Sequence, residues 1–117
     1  MTPEQFRKLA LHLPEAVEKE HMDHPDFRVR GKIFATLGYP NETYAMVKLS
    51  LVDQDRFTAA EAATFTPVPG GWGKKGATHV HLKAARKPIV EQALLAAWRH
   101  AAPKDLTRGQ AAAQKPD

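Results

Sequence analysis

The sequence predicts an α+β two-layer sandwich, an antiparallel sheet with helices packed on one face, in the order α-β-β-β-β-α-β-α. Three observations predict it. Amphipathic helical repeats stand near both ends of the chain; short β-rich runs separated by glycine turns fill residues 15–49; and a cleanly alternating strand precedes the last helix. With the helices on one face, the other face of the sheet is left to solvent or to a partner.

Thr2-Pro3-Glu4-Gln5 has the form of a helix start. Thr2 can cap, Pro3 suits the first helical position, and Gln5 occupies the capping-box position. Phe6, Leu9, Ala10 and Leu13 then recur on one face and Pro14 follows, which predicts an amphipathic helix over residues 3–12. Glu15 to Met22 is charged and weakly patterned, and reads as an exposed edge strand. From Phe27 to Leu37 two β-rich runs flank Arg30-Gly31, where glycine supplies the positive φ of a tight hairpin. Gly38-Tyr39-Pro40-Asn41 is a second turn, and a strand from Tyr44 to Leu49 completes a meander. Ser50 and Asp53 are alternative N-caps for a helix carrying Phe57, Ala60, Glu61 and Thr64, which ends before Pro67. Residues 67–76 hold four Gly and two Pro and read as a loop. Ala77 to Lys83 alternates, with Thr78, Val80 and Leu82 on one face and His79, His81 and Lys83 on the other. Pro88 opens the final helix, with Ile89, Val90, Ala93, Leu94, Ala97 and Trp98 as its buried stripe, and Pro103 stops it. Residues 1–106 are expected to form a single domain, and 107–117 a disordered tail with little to bury.

The chain of 117 residues has length for one core and not for two. No apolar run approaches the roughly 20 residues of a membrane span, so no membrane partner is expected. There is no cysteine, which excludes disulfides and thiolate zinc sites and favours a reducing compartment. Met1 to Ala16 lacks the apolar core and cleavage site of a secretory signal, so the expected location is the cytoplasm. The net charge of +4 hides an asymmetry: residues 1–69 carry 8 Lys+Arg and 10 Asp+Glu, whereas residues 70–117 carry 9 and 3. Such an asymmetry fits a polyanionic partner and equally fits a need for solubility.

The chain is poor in nucleophiles. Ser50, the single serine, lacks the Gly-x-Ser-x-Gly setting that would expose its hydroxyl on a sharp elbow. With no cysteine either, covalent acyl transfer is not expected. His79 and His81 would share a strand face, and Glu20, His21, His24 and Asp26 cluster in sequence. Zinc takes three or four such ligands, and a His pair at i, i+2 falls short of that. No metal, cofactor or catalytic residue is assigned. The loop Pro69-Gly-Gly-Trp-Gly-Lys-Lys-Gly76 departs from the Walker spacing and leads into a strand, so a nucleotide-hydrolysing loop is rejected. Trp72 beside Lys74 and Lys75 can stack on a base, anchor a partner, or fold back as a lid on the core. If Phe27 and Val29 face the helices, Arg28 and Arg30 point to the open face with His79, His81 and Lys83. Arg28, Arg30, Lys32, Lys74, Lys75 and Lys83 would then contact phosphates, with Trp72 stacking or wedging. The alternative is a protein- or small-ligand-binding module that uses the open face and the Trp72 loop.

Several of these segments together resemble one family. They are Glu20 to Leu37, Met46-Val-Lys-Leu49, Pro69-Gly-Gly-Trp-Gly-Lys-Lys-Gly-Ala-Thr78, Ala96-Ala-Trp-Arg99 and Ala102-Pro-Lys104. In this order they resemble the MmcQ/YjbR-like family of small bacterial proteins, with the likeness running from about Gln5 to Leu106. The resemblance implies a fold similar to the CyaY-like architecture, with β-hairpin wings, and DNA binding through its basic surface; the shortage of nucleophiles makes a non-enzymatic binding protein the expected class. The better-known branch carries an Asn-Lys-Lys-His-Trp-like run in the second loop; here Trp72-Gly-Lys-Lys-Gly-Ala-Thr78 stands in its place.

Overall fold

Thr2 opens the first helix by a reciprocal capping box. Its hydroxyl accepts from the Gln5 amide at 3.1 Å, and the Gln5 side chain accepts from the Thr2 amide at 2.9 Å. In a computed structural model that describes residues 1–108, this helix, α1, spans Pro3–Leu11. The meander follows as β1 (Ala16–His21), β2 (His24–Val29), β3 (Lys32–Leu37) and β4 (Tyr44–Lys48). Arg30 and Gly31 both take positive φ, 49° and 84°, in the two-residue turn between β2 and β3, as a tight hairpin requires. Ser50, and not Asp53, caps α2 (Leu51–Ala60), its hydroxyl accepting from the Asp53 amide at 3.1 Å.

Beyond α2 the chain departs from expectation twice. The helix stops at Ala60, and Phe65–Pro67 forms a short strand, β5, where the helical spacing of Glu61 and Thr64 predicts a continuation. The Phe65 ring is fully buried and packs on Phe57 with centroids 5.3 Å apart, a contact available only if the chain reverses. The Gly-rich stretch is also not all loop, since Gly71–Lys74 makes one helical turn, α3. The strand β6 (Ala77–His81) and α4 (Lys87–Ala101) then match their predicted positions, and residues 104–108 add a last helical turn. Residues 109–117, most of the stretch read as a tail, lie outside the described residues.

All strand pairs are antiparallel, in the order β1-β2-β3-β4-β6-β5. Register sorts the side chains into rows. Phe27, Ala35, Val47 and Thr78 stand opposite one another, as do Leu37, Ala45, Val80 and Phe65, and these rows face the helices. Where Phe27 faces Ala35 and Arg28 faces Ile33, Phe34 is left as the extra residue of a bulge. The bulge puts both Phe34 and Ala35 into the core with no exposed surface. Onto this face pack Phe6 and Ala10 of α1, Phe57 of α2, and Val90, Ala93, Leu94, Ala97 and Trp98 of α4. Each large side chain so buried contributes about 1.5–3 kcal/mol. Trp98 keeps its polar atom satisfied, its Nε1 donating to the Pro14 carbonyl at 2.9 Å.

Candidate nucleic-acid interface

Antiparallel order decides which cations meet. β3 begins, β4 ends and β6 begins at one end of the sheet, so Lys32, Lys48 and Lys75-Gly76-Ala77 gather there. The C-terminal turn of α4 reaches the same end, where a shallow depression is lined by Lys32, Ile33, Lys48, His100 and Ala101. Lys32, Lys48, Lys74 and Lys75 are exposed, and none of them forms an ion pair among the described residues.

The turn that carries Trp72, Lys74 and Lys75 is welded to the body of the protein. The Leu49 amide donates to the Gly76 carbonyl at 3.1 Å, and the Val68 amide to the Ala77 carbonyl at 2.9 Å. From α2 the buried Gln54 side-chain amide donates toward the Gly73 carbonyl (2.9 Å), the Ala77 carbonyl (3.1 Å) and the Thr78 hydroxyl (3.2 Å). The glycines serve this packing. A Cβ on Gly76 would lie 1.9 Å from the Leu49 carbonyl oxygen, and one on Gly73 would lie 1.7 Å from that of Val68. The Gly-rich pattern therefore encodes close backbone approach. Trp72 does not lid the core; it is 73% exposed, and Leu51 and Val52 in the first turn of α2 are exposed as well.

The other candidates fall elsewhere. Arg28 does lie on the helix-free face, but its guanidinium grips Asp26 with two bonds, Nε at 2.8 Å and Nη2 at 3.0 Å. Asp26 is 1% exposed, so this cation neutralises a buried carboxylate, and the pairing holds its pKa above the ordinary arginine value. Arg30 sits in the hairpin turn at the lysine-rich end and is held in the same way by Glu15, at 2.6 and 3.1 Å. That bond draws the Glu15 carboxyl below its usual range. Lys83 is exposed in the turn after β6, beyond His81 and Tyr44, at the opposite end of the sheet from Lys74 and Lys75. The expected seven-residue set is thus divided: Lys32, Trp72, Lys74 and Lys75 fall at one end of the sheet, Arg30 is at that end but held by Glu15, and Arg28 and Lys83 stand apart. Lys48 and His100 join the group unforeseen. Their signal was the pairing of β4 with β6 and the placement of α4, neither of which is local.

The helix-free face carries a cross-strand row of Asp26, Thr36, Met46, His79 and Thr66. Tyr44 stacks against both His79 and His81, each at 4.9 Å between centroids. His81 Nε2 bonds the Thr66 hydroxyl at 2.7 Å, whereas His79 Nδ1 is buried without a partner. Burial, and then the nearby charge of His81, push the His79 pKa down. Among the described residues no group of three or more His, Asp or Glu could hold a metal ion. No described helix is long and apolar enough to cross a membrane.

The sequence pattern of the family described as YjbR matches residues 11–100. No curated protein matches the chain at a significant level. Among solved structures, the crystal structure of Deinococcus radiodurans protein DR2400, with a domain designated DUF419, is similar with a TM-score of 0.69. The two are 15% identical, over 85% of this chain and 77% of that one. At that identity the likeness speaks for the fold alone.

Proposed function

The chain belongs to the YjbR family, and from that premise we propose that it binds DNA, gripping the phosphate backbone with the lysine-rich end of its sheet. One observation carries the reading: Lys32, Lys48, Lys74 and Lys75, none of them ion-paired among the described residues, stand at one end of the sheet, the end that also carries the exposed Trp72. Cations that contact phosphates position a protein on the duplex without reading its sequence. Arg28 and Lys83 have no part in this grip, the first being committed to Asp26 and the second lying at the far end. Four phosphate contacts predict that log K falls against log[salt] with a slope of roughly −3 to −4 on duplex DNA. Fluorescence anisotropy of a labelled duplex across a salt series tests it. Lys74→Ala with Lys75→Ala should weaken binding and flatten the slope by about 2, while Lys83→Ala should leave it unchanged. No binding at about 50 mM salt, or a flat response, rejects the reading.

A second reading, a protein- or small-ligand-binding module, is favoured by the helix-free face, where half-buried Tyr44, Met46 and His81 surround the unpartnered His79. A partner captured by the wild type and by the Lys74→Ala/Lys75→Ala variant, but lost on Trp72→Ala, would decide for it.

A further inference from the structure

Trp72 is 73% exposed, Leu51 54% and Val52 77%, an unusual concentration of apolar surface for a small domain. Backbone and side-chain bonds hold their two elements together, through Leu49 to Gly76 and Gln54 to Gly73. In α2, Asp53 is engaged by Arg56 at 2.9 Å and Asp55 is exposed, while the nearby end of the sheet carries Lys48, Lys74 and Lys75, none of them in an ion pair among the described residues. The other exposed apolar side chains lack such a setting. Val17 is on the charged edge strand, Met22 is at a hairpin tip beside Asp23, and Tyr39 stacks edge-on to His24.

We propose, resting on the DNA-binding reading above, that this end recognises unpaired nucleobases: Trp72 offers a stacking face, the first turn of α2, bonded to the Trp72 turn, adds apolar surface from Leu51 and Val52, and the lysines hold the phosphates. A rigid aromatic beside cations is the arrangement that binds single strands without sequence preference, because every base has a π-face. An intact duplex keeps those faces inside its stack, and wedging them apart costs several kcal/mol that a single strand does not incur. The element that carries Trp72, α3, is a single turn of four residues and too short to read a groove itself.

The chain has two tryptophans, and Trp98 is fully buried, so a change of tryptophan emission on adding nucleic acid reports Trp72. Titration with an oligo-dT strand should quench the emission, and the strand should bind roughly ten-fold tighter than a duplex at equal salt. Trp72→Ala, at an exposed position that does not burden folding, should lose about ten-fold on the single strand and keep its salt slope. An oligo-U arm tells DNA from RNA: quenching by either supports base stacking, and the tighter one identifies the source. Duplex binding as tight as single-strand binding, or an unaffected Trp72→Ala, overturns this inference and leaves the phosphate-binding reading intact. Absence of binding to strand and duplex alike overturns both.

Discussion

The side chain of Gln54 in α2 reaches the carbonyl of Gly73 in α3 at 2.9 Å, and this buried amide ties the turn bearing Trp72 to the helix bearing Leu51 and Val52. It is 6% exposed and serves three acceptors from one NH2 group. Gln54→Ala should therefore cost about 2 kcal/mol through the loss of more than one buried bond, although the Gly73 and Ala77 carbonyls keep their backbone donors, Gly76 and Val68. Gln54→Glu should cost more at neutral pH, since it turns a carboxylate toward those oxygens. Urea denaturation of the two variants checks the order.

Gly76 and Gly71 are five residues apart and should behave oppositely. Gly76 has φ +110° and the Leu49 backbone where a Cβ would go, whereas nothing lies within 4 Å of the corresponding point on Gly71. Gly76→Ala should destabilise by about 3 kcal/mol or more. Gly71→Ala, inside a helical turn, should be neutral or stabilising by a few tenths to about 1 kcal/mol. Thermal melts of both variants decide the matter.

Arg28 and Arg30 make the same two-pronged grip on carboxylates of different burial. Asp26 is 1% exposed and Glu15 46% exposed. Arg28→Ala abandons a buried charge, so it should lower the urea midpoint at neutral pH far more than Arg30→Ala does. Equal midpoints would show that the Arg28 pair contributes no more than a surface bridge.

His79 makes stability depend on pH. Its folded pKa lies below the unfolded value of about 6.5, through burial and then the charge of His81, so the unfolded chain takes up the proton first. Stability is then complete above about pH 6.5 and is lost as pH falls from there toward the folded pKa. The groups facing His79 are His81 and Tyr44. His79→Leu should make the fall in Tm between about pH 7 and about pH 5 shallower, as thermal melts at those pH values would record.

Local chemistry was enough to place most of the elements. The capping box at Thr2 and Gln5, the Arg30-Gly31 turn, the alternation from Ala77 to Lys83 and the Pro88–Pro103 bracket each act within a few residues, and each marks an element that is found, the strand ending two residues early at His81. The two local misreadings, β5 and α3, arise where long-range contacts outweigh propensity. Phe65 leaves helical spacing to pack on Phe57, and Gly73 lets a turn close against the Val68 backbone.

The candidate site is where sequence and structure divide. The sequence by itself determined that Trp72 sits beside two lysines on a Gly-rich segment, and that Arg28 and Lys32 lie on a hairpin; its alternation makes Lys83 the end of a strand, whereas β6 stops at His81. Only the tertiary structure decided which charges remain available and where they stand. Arg30 is engaged because folding brings Glu15 to it from fifteen residues away, Asp26 beside Arg28 on the same strand is buried by its neighbours, and pairing β4 with β6 sends Lys83 to one end and Lys48 to the other. Charge adds up along a chain, but its availability to a partner depends on distances between residues remote in sequence, which only the sheet register sets.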